Sequence, residues 1–425
     1  MTTGKLAILG GTPAIGQDIR FRSWPASTAL DEELVLASLR QDKHAYGPHA
    51  QALEAEFAAW NGNTCCMATN SGTAALHMCV AAAGVQAGDE VITTALSWTS
   101  SASAIIHHSG VPVFVDVDWA SMHMDPALIE AAITERTRAI LVVHYWGVSC
   151  DMDPIMEIAK RHGLVVIEDA CQAHSATCGG RRVGTIGDVS AFSLNQNKVL
   201  CGGEGGLFVT NNQAMFKRGK AVSAFSDMRP PHAGREYDDY GLGWMYRTSD
   251  LAAAYALSQL RQFDHTNRQA LENWHHLFGL LEGTPHLVPP FTSADRPTNG
   301  YAYVWRVDPA YAREAGVPLR RLTEGIVAAL KAEGVEMSLA NWLLPAHSVF
   351  QAKNAFGHGA PWTYARPDIS YDVSQFPVAQ DCVDTCLWNV NTHRPPNGPA
   401  EVEALAGAIR KVFEQLDNVP VPQAG

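Results

Sequence analysis

Three short stretches of this 425-residue chain combine groups that could do chemistry. The run SAFSLNQNK (residues 190–198) reads as a strand ending in a hydroxyl and three amides, then a lone lysine, Lys198. Gly202, Gly203, Gly205 and Gly206 surround Glu204 directly afterwards, which permits close backbone packing. An amine held there becomes a nucleophile once burial or a cationic neighbour lowers its pKa. The alternative is a solvated loop lysine. Asp169 follows the apolar residues 165–167. A carboxylate at the C-terminal end of a buried parallel strand lies where open α/β sheets bind ligands. It could hold a protonated ring nitrogen, cap a helix or bind a metal. Asn70, Ser71, Gly72 and Thr73 fall between a strand and an Ala-rich helix. Free N–H groups and partial positive charge at a helix start suit a phosphate. Gly72 lets the backbone approach it and Thr73 adds a hydroxyl, although the same residues would also satisfy an ordinary Ser/Thr cap.

These residues need a frame, and the first half of the chain supplies one. Short β-branched runs at 65–69, 90–93, 111–117, 139–143, 164–167, 189–193 and 206–209 alternate with helical stretches at 71–83, 126–133 and 152–162, the last ending at Gly163. Such alternation predicts a mostly parallel, seven-stranded sheet covered on both faces, an α/β fold. The composition changes after about residue 260. Residues 261–281 read as a connecting helix, and 319–333 and 400–416 as further helices. Between the last two, residues 345–377 form a long irregular stretch of the kind that is often functional. We expect a large domain over 1–260 and a smaller α/β domain over 261–425.

Bulk properties exclude several classes. The chain is 47% hydrophobic and 17% charged, with a mean hydropathy of −0.07, as expected of a globular protein. A net charge of −12 disfavours nucleic acid and anionic membranes as partners. Nine scattered cysteines, without paired CxxC spacing, fit free thiols in a reducing, cytoplasmic compartment. No signal peptide is expected from residues 1–16, and no transmembrane helix from any window. The adjacent pairs His107/His108 and His275/His276 do not share a helix face as metal ligands do, and no metal site is expected. Gly10, Gly11, Thr12 and Pro13 lack the dinucleotide-binding pattern. No base is assignable to Cys201. The run of His144, Tyr145, Trp146 and Gly147 follows a strand and could line a site or be an ordinary buried aromatic turn.

Taken together, the order of these motifs resembles the DegT/DnrJ/EryC1/StrS family of pyridoxal-phosphate-dependent sugar and cyclitol aminotransferases. The matching text includes YGPHAQALEAEFAAW, NSGTAALHM, AGDEVITTALSWTSSASAI, GVPVFVDVD, EDACQAHSA, GDVSAFSLNQNKVLCGGEGG and YRTSDLAAAYALSQL. It is dense over residues 5–265 and loose beyond. The resemblance implies a fold-type I aminotransferase, with a seven-stranded large domain and a small C-terminal domain, acting as a homodimer. It implies Lys198 as the Schiff-base lysine and proton shuttle, and Asp169 as the partner of the pyridinium nitrogen. It implies Trp98 as the aromatic stacked on the cofactor and Gln172 as the contact to its 3-hydroxyl. Gly72, Thr73 and Ser193 fall on phosphate-binding positions, with Asn195 assisting.

The implied reaction moves an amino group from glutamate or glutamine to a keto-sugar or keto-cyclitol. The amide-rich LNQNK run leans towards the cyclitol and aminoglycoside branch. Family dehydratases carry His in place of the lysine, so Lys198 argues against dehydration. A non-catalytic regulatory relative would be expected to lack Lys198 or Asp169. One position departs from the family pattern. Where an Asn is expected to reach the neighbouring subunit's phosphate, this chain has Met245, between Trp244 and Tyr246, and a thioether cannot donate that hydrogen bond.

Overall fold

The computed structural model describes residues 4–223 and 243–422. Seven strands form the main sheet: β1 (Cys65–Thr69), β2 (Glu90–Thr94), β3 (Val111–Val115), β4 (Thr137–Val143), β5 (Val165–Asp169), β6 (Val189–Ser193) and β7 (Gly206–Thr210). Their spatial order is β1-β7-β6-β5-β4-β2-β3. β2, β3, β4, β5 and β6 pair in parallel, whereas β7 runs antiparallel to both its neighbours. β1 therefore points the same way as β6. Along β4, Ala139, Leu141 and Val143 enter one apolar cluster and Ile140 and Val142 another. This period of two, apolar on both faces, is what a sheet covered on both sides requires.

Two strand ends differ from expectation for a visible reason. β3 stops at Val115 because the next carboxylate, Asp116, accepts the N–H groups of Val378 and Ala379 at the start of the Pro377–Thr385 helix. β5 runs on through Glu168 and Asp169 because Glu168 is fully satisfied inside. Its carboxylate accepts the N–H groups of Gly184, Ile186 and Gly187 at 2.6–2.9 Å and pairs with His144.

A second sheet, β8 (Leu287–Val288), β9 (Tyr303–Val307), β10 (Ser338–Leu339) and β11 (Cys386–Asn389), is wholly antiparallel in the order β8-β9-β11-β10. It packs with the Leu319–Ala332 and Pro399–Phe413 helices and with Leu6 in a cluster of its own. The helix expected at 261–281 spans Asp250–Leu281. Its earlier start is set by Ser249, whose side chain caps Ala252. Residues 126–133 tighten into a short α-turn, Pro126–Ile129, and a 3-10 turn, Glu130–Ala132. The stretch expected to be irregular holds the short helices Ser348–Ala352 and Trp362–Ala365. Among the described residues, no helix is long and apolar enough to cross a membrane.

Candidate active site

The C-terminal ends of β1, β2, β4, β5 and β6 meet along one edge of the sheet, and a cavity of about 570 Å³ opens there. Each of these strands contributes: Ser71–Thr73 after β1, Ser97 and Trp98 after β2, Tyr145 and Trp146 after β4, Asp169 and Gln172 from β5, and Ser193, Asn195 and Lys198 from β6. All eight residues expected from sequence, Gly72, Thr73, Trp98, Asp169, Gln172, Ser193, Asn195 and Lys198, thus line a single cavity.

The cradle is built on the Gly72–Ala82 helix. Ser71 caps it, accepting the Ala74 N–H at 3.1 Å. The cap and the phosphate readings are therefore compatible, because Gly72 and Thr73 keep first-turn N–H groups that no intrahelical carbonyl can reach. A Cβ on Gly72 would lie 2.8 Å from the Ser193 Cβ, so only glycine allows the helix start to approach the end of β6 this closely. Thr73 Oγ1 shares a hydrogen bond with Ser100 at 2.8 Å. These donors, with the positive end of the helix, match a phosphate.

Asp169 is almost fully buried. Its Oδ2 accepts from Ser101 Oγ at 2.7 Å and its Oδ1 from the Cys171 N–H at 3.2 Å. Ser97 in turn bonds Ser101, so the carboxylate is held from behind. Lys198 Nζ donates to Tyr301 Oη at 3.3 Å and lies 4.9 Å from that ring's centre. Gln172 Oε1 accepts the Trp146 N–H at 2.8 Å, which leaves its NH2 as the free end of the amide. Trp98 is 56% exposed, a wide bare indole face beside the cavity. Asn195 lines the cavity, but its amide is engaged at both ends, donating to Glu204 and accepting from the Asn197 N–H. It shapes the loop that carries Lys198.

Tyr301, Trp342, Trp388 and Val390 complete the wall, and sequence reasoning missed them. Asn299 places Tyr301. Its NH2 donates to the carbonyls of Gln172 and His174 at 3.0 Å, and its Oδ1 accepts the Tyr301 N–H. Beneath lies Arg394, fully buried, donating to the carbonyls of Asn197 and Tyr301. Burial pulls its pKa down to about 10, which leaves it charged at neutral pH. Trp24 Nε1 fixes the Lys198 carbonyl at 3.0 Å.

Other flagged residues take structural places. His144 is buried, accepts the Cys150 N–H on Nδ1 and so donates from Nε2 to Glu168. It stands behind the sheet edge and does not line the cavity, unlike its neighbours Tyr145 and Trp146. Cys201 is buried, and burial pushes its thiol up to about 11. Arg247 bridges to Thr69 through the backbone, and its Nε approaches Met245 Sδ at 3.1 Å. The Met245 carbonyl accepts the Asn70 amide at 3.2 Å, so this segment borders the cradle within its own chain.

A lysine, a buried carboxylate and a helix-start cradle at the edge of such a sheet define a phosphate-bearing-cofactor enzyme that works through an amine. The chain belongs to the DegT/DnrJ/EryC1/StrS aminotransferase family, which it matches over residues 25–381. It is 38% identical to the L-glutamine:2-deoxy-scyllo-inosose aminotransferase of Streptoalloteichus tenebrarius, over 76% of this chain and 79% of that one. It is 36% identical to a putative L-glutamine:3-amino-2,3-dideoxy-scyllo-inosose aminotransferase of Micromonospora echinospora, over 97% and 98%. Among solved structures, 3-amino-5-hydroxybenzoic acid synthase superposes with a TM-score of 0.82 at 26% identity, covering 95% of this chain and all of that one. The fold is that of fold-type I aminotransferases, and the protein is a pyridoxal-phosphate-dependent aminotransferase.

Proposed function

We propose that this enzyme transfers the amino group of glutamine or glutamate to the carbonyl carbon of a keto-cyclitol, as a step towards an aminocyclitol. The lining of the one cavity by Lys198, Asp169 and the Gly72 cradle carries the reading. The names of the relatives at 38% and 36% identity support the cyclitol and the glutamine donor.

The residues fit the cofactor. Gly72, Thr73 and Ser193 would hold its phosphate, and Asp169, braced by Ser101, would hold its ring nitrogen protonated. The Gln172 NH2 would meet the 3-oxygen and Trp98 would cover a ring face. When bound, pyridoxal phosphate supplies an aldehyde carbon and an electron-withdrawing ring. Lys198 provides the amine that attaches it. With the cofactor bound, Lys198 Nζ would take the proton from the donor's α-carbon and later give it up, acting as general base and then as general acid. Tyr301 Oη holds that amine in place between the two transfers. The donor leaves as its keto acid. The acceptor then goes through the reverse sequence and exchanges its carbonyl oxygen for the amino group.

Dehydratase relatives carry His in place of Lys198, and a regulatory relative would be expected to lack Lys198 or Asp169, which is why transamination is preferred. A division into domains 1–260 and 261–425, a homodimer and a cytoplasmic location belong to the same proposal. The separate apolar cluster around β9 and β11 supports the first.

The test is amine transfer from labelled glutamine to 2-deoxy-scyllo-inosose by the purified holoenzyme. Wild-type enzyme is expected to show a visible band reducible by borohydride and to label the cyclitol. Lys198→Ala is expected to lose both. Turnover by Lys198→Ala would overturn the mechanism, and labelling of a keto-sugar nucleotide alone would overturn the substrate.

A further inference from the structure

One wall of the cavity is made of indoles. Trp98 follows β2, Trp146 follows β4, Trp342 follows β10 and Trp388 lies in β11. Ring centres are 5.8 Å apart for Trp98 and Trp342, 5.7 Å for Trp146 and Trp342, 5.6 Å for Trp146 and Trp388, and 5.0 Å for Trp342 and Trp388. The planes meet at 41–61°, so the rings form a faceted surface and not a stack.

Backbone bonds fix this surface beside the cofactor position. The Ser97 N–H donates to the Trp342 carbonyl at 3.3 Å and the Leu344 N–H to the Ala95 carbonyl at 2.8 Å, which locks Trp342 to the segment carrying Trp98. Trp146 is held at φ 59°, a left-handed conformation that costs a bulky residue energy and needs a reason. Its Nε1 is buried without a partner among the described residues. Among the described residues, Asp169, Glu204 and Lys198 are the charged groups on the cavity wall, so none but Lys198 is cationic.

We propose that Trp146, Trp342 and Trp388 are the acceptor platform, and that they select an uncharged, polyhydroxylated six-membered ring by its C–H face. This rests on the function proposed above and deepens it. A cyclohexane ring with equatorial hydroxyls has a polar rim and two faces of axial C–H bonds. Those faces are apolar and slightly positive, and complement the negative face of an indole. A nucleoside diphosphate would instead bring two negative charges to a wall whose described residues offer no cation besides Lys198.

The experiment separates the two half-reactions of the holoenzyme. Trp342→Leu and Trp388→Leu are expected to raise the KM for 2-deoxy-scyllo-inosose about tenfold while leaving the glutamine half-reaction within about twofold. Trp342→Phe is expected to retain most acceptor affinity. An unchanged acceptor KM, or equal loss in both half-reactions, overturns the platform. A second measurement needs no variant. Scyllo-inositol, all equatorial, is expected to compete with the acceptor more strongly than chiro-inositol, which puts one axial hydroxyl on each face. Equal inhibition overturns the proposal. If the wild type aminates no keto-cyclitol, the functional reading fails. If it does and the tryptophan variants or inositols behave otherwise than stated, only the platform fails.

Discussion

Gly72→Ala tests whether the turn after β1 is a phosphate cradle or only a capped helix start. The added Cβ would sit 2.8 Å from the Ser193 Cβ, 3.1 Å from Cys171 Sγ and 3.2 Å from the Ser193 Cα. Ordinary contact begins at 3.4 Å, so the worst overlap is about 0.6 Å. Neither Ser193 atom is the free end of a flexible side chain, so the helix start and the end of β6 must part. Overpacking of this kind costs about 1–3 kcal/mol. It also spreads the Gly72 and Thr73 N–H groups away from the Ser193 hydroxyl, and the donors no longer converge. Losing one hydrogen bond to a charged group costs about 1.5–3 kcal/mol, roughly a 10–100-fold rise in Kd. The assay titrates apoprotein with pyridoxal phosphate and, separately, with pyridoxal, which lacks the phosphate. The expected result is a 10–100-fold weaker Kd for the phosphate form and a change of less than about threefold for pyridoxal. Equal weakening of both, or an unchanged phosphate-form Kd beside a lowered apoprotein Tm, would refute the cradle and leave Gly72 a packing residue.

Tyr301→Phe keeps the ring near Arg394 and removes only the hydroxyl that holds Lys198 Nζ. We expect kcat to fall about tenfold with cofactor content intact and a larger isotope effect with α-deuterated donor, while an unchanged kcat would remove Tyr301 from the proton path. Burial holds His77, His123, His174 and His393 at about 3 and His108 at about 4, all below the usual value near 6.5. The unfolded chain therefore takes up protons that the native fold refuses, so stability is fully present above about pH 6.5 and is lost progressively as pH falls towards about 3. Tm should drop by more than about 5 °C between pH 6.5 and 5, before most carboxylates titrate, and a flat Tm there would contradict neutral buried imidazoles.

The half of the site carried by β1, β2, β4, β5 and β6 was legible because each residue sits within a few positions of its own strand end. Local pattern finds the strand, and the rule that parallel sheets bind ligands at their C-terminal edge finds the residue. Tyr301, Trp342, Trp388 and Arg394 had no such anchor. Asn299 brings Tyr301 to β5 through the carbonyls of Gln172 and His174, and Trp342 reaches Trp98 through the Ser97 N–H. Both are contacts between segments far apart in the chain, and periodicity within either segment is silent about them. The early start of the Asp250–Leu281 helix was hidden for a similar reason. Asp250 is buried at its first turn, taking hydrogen bonds from Ser38, His49 and Ala50, all on distant segments.

The adjacent carboxylates Glu168 and Asp169 show where the boundary lies. By sequence alone both sat just past a strand expected to end at residue 167, and the family resemblance, not the periodicity, singled out Asp169. Once β5 extends to Asp169, successive side chains must point to opposite faces. One of the two therefore turns to the cavity and the other away from it. Glu168 gathers three backbone N–H groups from the 184–187 turn and the imidazole of His144, which leaves its carboxylate no capacity for a ligand. That turn feeds β6, and β6 carries Ser193 and leads to Lys198. The structural carboxylate thus sets the position of the strand that delivers the amine, while its neighbour faces the cavity lined by that amine. Exchanging their order, Glu168→Asp with Asp169→Glu, would keep composition and charge and break both arrangements at once.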